Sequence, residues 1–241
     1  DTDIATINGN YLLLNGTTGV PLAILDGGAL TARRTAAASI LAATMLARPD
    51  SHRLVVVGSG RLAAELARGY CTLFPIDEVI VWNHRSAGAE QLAAALFDDG
   101  LPATSTTDLG AACAAADIVT CATMSSTPVV SGGSLNVGCH LDLVGAFTPA
   151  MRETDDVAIR RARVFVDTMA GALTEAGDIL QPIQSGALRE SDIEADLFSL
   201  CRGFDVHRAD DDITLFKSVG HALEDLVSAA AVYEALRQPP A

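Results

Sequence analysis

The run Arg53 to Ala63, RLVVVGSGRLA, constrains this chain more than any other stretch. The four apolar residues Leu54 to Val57 suit a buried strand, and Gly58-Ser59-Gly60-Arg61-Leu62-Ala63 fits G-x-G-x-x-A at the opening of a helix. Glycines there let the backbone turn tightly and approach a pyrophosphate, which then lies against free N–H groups at the helix N-terminus. The same pattern also closes ordinary strand-to-helix turns, so the residues downstream of it carry weight. VIVWNHR at Val79 to Arg85 adds a second strand and a polar, basic loop in the order a dinucleotide-binding unit needs. About twenty residues past the glycine turn, such units place an acidic residue on the ribose of NAD. Here Asn83-His84-Arg85 stands instead, which points to a 2′-phosphate and hence to NADPH as cofactor, with NADH a possible second.

The surrounding chain supports one large domain or two modest ones. Its 241 residues, 49% of them hydrophobic, suffice for a proper core. A net charge of -14 with the 16 basic residues scattered argues against a nucleic-acid partner. Cys71, Cys113, Cys121, Cys139 and Cys201 form no C-x-x-C pair, and His52, His84, His140, His207 and His221 show no ligand spacing with them, so no disulfide framework and no metal site is expected. No apolar stretch approaches a membrane span, and DTDIATINGN lacks a signal pattern. These features predict a protein without a membrane partner, with free thiols, in the cytoplasm.

Tyr11 to Leu14 and Pro21 to Leu25 flank Asn15-Gly16-Thr17-Thr18-Gly19 and read as a hairpin. Leu30 to Ala47, dense in Ala and Leu with Pro49 beyond it, reads as one long helix linking two domains. Strands and helices then alternate: a strand at Leu54 to Val57, a helix to about Leu73, a strand at Val79 to Trp82, a helix from Ala87 to Phe97, and a short segment near Thr104. A helix at Leu109 to Ala115 and strands at Ile118 to Cys121, Leu141 to Val144 and Val164 to Val166 continue the series. Such alternation predicts an α/β protein with a doubly wound parallel sheet. From Leu173 to Gly203 the pattern is helical and loop-like, with Ser191-Asp192-Ile193-Glu194 as a helix start, and a last helix runs from about Gly220 to Leu236.

In an open parallel sheet the ligand lies beyond the carboxyl ends of the strands. That rule selects the glycine turn, Asn83 to Ser86, Ala122 to Ser126 and Gly145 to Thr148. The hydroxyls of Thr123 and Ser125 either bond a ligand or cap the next element. His221, beside Ser218 and Gly220 at the start of the last helix, either faces the active site or serves as a capping or surface residue. Arg34, on an Ala-rich helix that should be well buried, needs an anion: a substrate carboxylate, a cofactor phosphate or a structural salt bridge.

LTARRTAAAS at Leu30 to Ser39, VVVGSGRLA, DIVTCATMSSTPVV at Asp117 to Val130, HLDLVGAFTPAMRETDD at His140 to Asp156, LTEAGDI at Leu173 to Ile179 and FKSVGHALEDL at Phe216 to Leu226 together resemble the ornithine cyclodeaminase/mu-crystallin family over nearly the whole chain. The resemblance implies a homodimer that pairs a Rossmann-type domain, residues 45–218, with a smaller α+β substrate and dimerisation domain made of residues 1–44 and 219–241. It implies that Arg34 binds the substrate carboxylate beside the nicotinamide. Gly58, Gly60, Arg61, Leu62, Asn83, His84 and Arg85 would hold the cofactor, with further contacts from Thr6, Arg34, Thr123, Val144, Gly145, Ala146 and Ser218. Phe147 and Val219 would meet the substrate.

Where cyclodeaminases carry a proton-transferring aspartate after Val-Gly-Gly, this chain has Phe147, which cannot exchange a proton. VGAFTPAMRE instead resembles bacterial reductases of pyrroline-2-carboxylate and piperideine-2-carboxylate. The expected reaction is therefore NADPH-dependent reduction of a cyclic imino acid to proline or pipecolate, with Glu175, Asp178 and Lys217 as candidate proton donors. Ornithine cyclodeaminase or alanine dehydrogenase activity is the enzymatic alternative, and a cofactor-loaded, mu-crystallin-like binding protein without turnover is the other. The family also carries an N-terminal arginine and lysine that this sequence does not show. DTDIA resembles the stretch before that lysine and TINGNYLLL the stretch well after it, so residues before Asp1 and between Ala5 and Thr6 are expected to be unrepresented in this sequence.

Overall fold

The structure, a computed structural model, describes residues 8–237. Strands β1 (Asn10–Leu14) and β2 (Pro21–Asp26) pair antiparallel. Their loop is set by Asn15, whose Oδ1 accepts the N–H of Thr17 (3.0 Å) and Thr18 (2.9 Å), and by Gly19 at φ +70°. Helix α1 (Gly27–Leu46) begins three residues earlier than the Leu30 expected from apolar spacing, because Asp26 caps it by accepting the Ala29 N–H at 2.8 Å. Its residues change partner along its length. Leu30 packs with Leu13 and Ala229, whereas Ala36, Ile40 and Ala43 pack into the sheet's core.

The chain then builds β3 (Arg53–Val57), α2 (Arg61–Leu73), β4 (Glu78–Trp82), α3 (Ser86–Asp98), β5 (Ala103–Ser105), α4 (Leu109–Ala115) and β6 (Ile118–Cys121). It continues through β7 (His140–Leu143), α5 (Asp156–Arg161), β8 (Ala162–Val166), α6 (Met169–Ala172), α7 (Gly177–Ser185), β9 (Ile193–Asp196), α8 (Leu197–Cys201), β10 (Ile213–Lys217) and α9 (Ala222–Arg237). Eight strands form one sheet in the order β5-β4-β3-β6-β7-β10-β8-β9, every pair parallel. This is the doubly wound arrangement the alternation predicts. The order reverses between β3 and β6, so their carboxyl ends diverge and leave a crevice.

Strand β3 shows why the sheet is central. Val55 and Val57 join a core with Val119, Leu141 and Ile179, while Leu54 and Val56 join the opposite core with Leu66, Tyr70 and Leu96. All four are fully buried. At roughly 1.5–3 kcal/mol for each side chain of that size, two-faced burial outweighs the loss of any polar edge. Helix α2 presents Ala63, Leu66, Ala67 and Tyr70 at helical spacing to this core, and Gly69 lets α1 cross it closely: a Cβ there would lie 2.1 Å from Ile40 Cδ1.

One sequence expectation is corrected, and one strand has no counterpart in the sequence pattern. Ser191-Asp192-Ile193-Glu194 does not open a helix; Glu190–Asp192 form a single 3-10 turn and Ile193–Asp196 run as the edge strand β9 beside β8. Strand β10 went unread because ITLFK is buried on both faces and shows no alternation, yet it inserts between β7 and β8. Helix α9 starts at Ala222, and His221 caps it, its Nδ1 accepting the Leu223 N–H at 3.2 Å. All five cysteines are unpaired, and burial pushes the thiols of Cys71, Cys113, Cys121 and Cys139 up. Among the described residues no cluster of His, Cys, Asp or Glu is arranged for a metal ion, and no helix is long and apolar enough to cross a membrane.

His140 is fully buried on β7, its Nδ1 2.9 Å from Thr214 Oγ1, whose hydroxyl donates to Leu46 O. Burial, and after it the Arg208 charge, lower its pKa from 6.5 to about 3. The unfolded chain takes up this proton near 6.5 and the folded chain does not, so the contribution to stability is complete above 6.5 and is lost as pH falls toward 3. Replacing His140 with Asn is expected to flatten the acid limb of stability by up to about 1.4 kcal/mol per pH unit, read from urea unfolding across that window.

Candidate active site at the carboxyl edge of the sheet

The glycine turn leaves β3 at the reversal point. Gly58 adopts φ +118°, and a Cβ on it would sit 2.7 Å from Ala122 O, so only glycine lets the turn pass the loop after β6. Gly60 is the N-cap of α2 and supplies no side-chain cap, leaving the first N–H groups of that helix aimed outward, with open space where a Cβ would stand. Next to it, α3 begins after Arg85, again without a side-chain cap. Asn83 Nδ2 donates to Arg85 O at 3.2 Å, and Gly88 allows Asn83 and Ser59 to close on it, a Cβ there meeting Ser59 Oγ at 2.7 Å and Asn83 Nδ2 at 2.8 Å. His84 and Arg85 stand exposed beside these two helix N-termini.

A cleft of 710 Å³ opens along this edge. Thr31, Arg34 and Thr35 of α1 line one side; Gly60, Arg61 and Leu62 line the end at the glycine turn. Thr123 and Met124 after β6, Val144, Gly145 and Phe147 after β7, Glu175, and Ser218 with Val219 after β10 complete it. The structure therefore brings together Arg34, Gly60, Arg61, Leu62, Thr123, Val144, Gly145, Phe147, Ser218 and Val219. Gly58 and Ala146 are buried behind the lining, Asn83, His84 and Arg85 lie on the adjoining loop, and Thr6 falls outside the described residues. Ser125 turns back on its own loop, its hydroxyl donating to Thr127 O at 2.6 Å.

Arg34 has two anionic partners within the chain. Its Nε meets Asp225 Oδ1 and its Nη1 meets Glu224 Oε2, each at 2.9 Å, from the first turn of α9. Gly220, at φ +92°, lies against the guanidinium: a Cβ there would come within 2.5 Å of Nη1 and 2.9 Å of Nη2. Nη2 has no hydrogen-bond partner among the described residues. Burial pushes the Glu224 carboxyl up, with Arg34 pulling the other way.

Two carboxylates that sequence reasoning did not single out brace the lining loops. Asp167 Oδ2 accepts the N–H groups of Val219 (2.8 Å) and Gly220 (2.7 Å) and the Ser218 hydroxyl (3.2 Å). Glu153, fully buried, accepts from Thr123 and from Gly145 and Ala146. In sequence Glu153 is one acid among others in RETDD and only the fold aims it, whereas Asp167 directly follows the strand at Val164 to Val166, where the carboxyl-end rule could have found it. Of the three candidate proton donors, Asp178 and Lys217 are fully buried against each other, Nζ to Oδ2 3.5 Å, so Glu175 alone reaches the cleft.

A glycine turn and paired uncapped helix N-termini at the reversal point of a parallel sheet define a Rossmann-type dinucleotide-binding protein. The chain belongs to the ornithine cyclodeaminase/mu-crystallin family, whose profile matches residues 2–239. It is 38% identical over 237 residues to a Delta(1)-pyrroline-2-carboxylate reductase of Colwellia psychrerythraea, covering 97% of this chain and 75% of that protein. The Delta(1)-pyrroline-2-carboxylate reductase of Thermococcus litoralis, solved with NADH and L-proline, superposes with a TM-score of 0.89 at 35% identity, over 92% of this chain and 70% of that one. An archaeal alanine dehydrogenase dimer with bound NAD gives 0.89 at 29% identity, over 96% of this chain and 72% of that one.

Gly145 tests the closeness of the lining. A Cβ there would lie 1.9 Å from Thr123 O and 2.4 Å from Thr123 N, backbone that cannot step aside. Gly145→Ala is expected to cost about 1–3 kcal/mol in urea unfolding and to weaken NAD(P)H binding, followed by fluorescence.

Proposed function

We propose that this protein is an NAD(P)H-dependent reductase of cyclic imino acids, taking Δ1-pyrroline-2-carboxylate to L-proline and Δ1-piperideine-2-carboxylate to L-pipecolate, with NADPH preferred. The observation that carries the reading is one cleft that Arg34 shares with the glycine turn and the uncapped N-terminus of α2, in a chain resembling a Delta(1)-pyrroline-2-carboxylate reductase over 97% of its length.

The dinucleotide fits the residues present: the uncapped α2 N-terminus, the open Gly60 and the left-handed Gly58 accommodate a pyrophosphate. Bound there, it supplies the hydride. The chain itself supplies orientation and charge. Arg34 holds the substrate carboxylate through its Nη edge, while Glu224 and Asp225 keep the guanidinium plane fixed. Met124, Phe147 and Val219 offer apolar surface to the ring and exclude water. Hydride added to a protonated C=N gives the neutral amine, so the proton arrives with the substrate and the chain needs no donor for that step. Phe147 in place of an aspartate disfavours cyclodeamination.

Asn83, His84 and Arg85 carry the NADPH preference, Arg85 by a charge-assisted bond to the 2′-phosphate. Residues 45–218 serve as the dinucleotide domain, and 1–44 with 219–241 as the substrate and dimerisation domain. A homodimer is supported by apolar surface on that second unit. Leu12 and Ile24 pair across the hairpin at 50% and 73% exposure, and Leu223 and Val227 are exposed on α9. The free cysteines favour a reducing compartment, the cytoplasm.

Purified protein is expected to oxidise NADPH in the presence of Δ1-piperideine-2-carboxylate. Arg85→Ala should raise KM for NADPH by about tenfold while leaving NADH unchanged. Absence of oxidation, with ammonia released from L-alanine instead, would overturn the reductase reading in favour of an alanine dehydrogenase; tight cofactor binding with no turnover would favour a binding protein. Arg34→Lys keeps the charge but loses the fork, and should raise KM for the imino acid by about tenfold or more without changing NADPH affinity.

A further inference from the structure

The loops after β6 and β7 meet at the floor of the cleft, and one side chain holds both. Glu153 has no exposed surface. Its Oε1 accepts the Thr123 N–H at 2.7 Å and the Thr123 hydroxyl at 2.8 Å; its Oε2 accepts the Gly145 N–H at 2.7 Å and the Ala146 N–H at 3.3 Å. Four donors on two oxygens fill the sites a carboxylate offers. The Glu153 backbone is anchored in turn, its N–H donating to Asp178 Oδ1 at 2.8 Å, while Asp178 Oδ2 faces Lys217 Nζ. A Cβ on Gly145 would lie 2.4 Å from Glu153 Oε1, so glycine at that position leaves room for the carboxylate.

We propose that Glu153 is a positioning residue for hydride transfer: its carboxylate fixes the spacing between the Thr123 and Gly145 loops, and with it the depth at which the nicotinamide ring meets a substrate held by Arg34. This role rests on the proposed cofactor and substrate. The donor pattern demands a carboxylate specifically. Glutamine offers one acceptor oxygen, and its NH2 group meets at least one fixed N–H whichever way the amide turns: that of Thr123 on one side, where the rotatable Thr123 hydroxyl can accept, or those of Gly145 and Ala146 on the other. A proton on Glu153 removes the charge that strengthens all four bonds. Glu153→Gln and protonated Glu153 therefore share one lesion, the loss of the charge that tightens these bonds. The charged or titratable groups facing it are Lys217 from β10, Asp178 from α7 and Cys121 from β6. Burial foremost, and Asp178 after it, push the Glu153 carboxyl up to about 7, with Lys217 pulling it down. The working, ionised form is accordingly lost as pH falls through that value.

The experiment compares wild type, Glu153→Gln and Thr123→Val for kcat, for KM of NADPH and of Δ1-piperideine-2-carboxylate, and for NADPH dissociation by fluorescence, across pH. In Glu153→Gln, kcat is expected to fall about tenfold and the NADPH dissociation constant to rise about tenfold, each the equivalent of roughly 1.4 kcal/mol, with KM for the imino acid unchanged because Arg34 is untouched. The decline of wild-type kcat below pH of about 7 should be missing from the variant. Values within twofold of wild type at every pH, or the same acid decline in both proteins, would overturn the proposal. Should Glu153→Gln fail to unfold cooperatively, Thr123→Val, which withdraws one donor and keeps the side-chain shape, decides: a several-fold loss of kcat supports the role and an unchanged kcat ends it. A wild type that binds NADPH without turnover sinks the reductase reading alone. The dissociation constants then decide, a tenfold rise in Glu153→Gln supporting the brace and equal values refuting it.

Discussion

The cleft depends on how closely backbone segments pass one another at the carboxyl edge of the sheet. A Cβ at Gly58 would collide with Ala122 O, one at Gly145 with Thr123 O, and one at Gly220 with the Arg34 guanidinium. Three glycines thus let the turn after β3 and the loops after β6, β7 and β10 converge in a space that any larger residue would wedge apart. Two of them, Gly58 and Gly220, also need positive φ, which no β-carbon tolerates cheaply.

Loops drawn that tightly together strand N–H groups away from water, and such groups cost free energy unless they find acceptors. The chain meets this with buried carboxylates rather than regular structure. Glu153 takes the N–H groups of Thr123, Gly145 and Ala146, and Asp167 takes those of Thr168, Val219 and Gly220. Each burial is offset by several donors, and Lys217 sets one positive charge beside Asp178. The same logic holds Arg34: its two acidic partners come from α9, so this cleft-lining arginine is oriented by the helix that packs on the hairpin.

Most of the first half of the sheet was legible in the residues. Leu109–Ala115 and Ile118–Cys121 form where periodicity and turn residues place them, and α1 differs only in its start, which Asp26 decides by capping. The second half was harder for a physical reason. Strands such as Ile213–Lys217, buried on both faces, show neither alternation nor helical spacing, and β9 owes its strand geometry to pairing with β8. Local chemistry pointed Ser191-Asp192 toward a helix start; the sheet edge overrode it.

The sequence by itself determined the strand–helix alternation of a doubly wound sheet, the glycine turn, the basic loop where a ribose-binding acid usually stands, and the family, because each of these is written in neighbouring residues and their spacing. It left the partner of Arg34 open between ligand and salt bridge. Only the tertiary structure decided that Glu224 and Asp225, 190 and 191 residues away, occupy two of its nitrogens, and that Glu153 ties Thr123 to Gly145 across 30 and 8 residues. Hydrogen bonds of that reach have no local signature: they exist only once a parallel sheet has carried distant segments to the same edge.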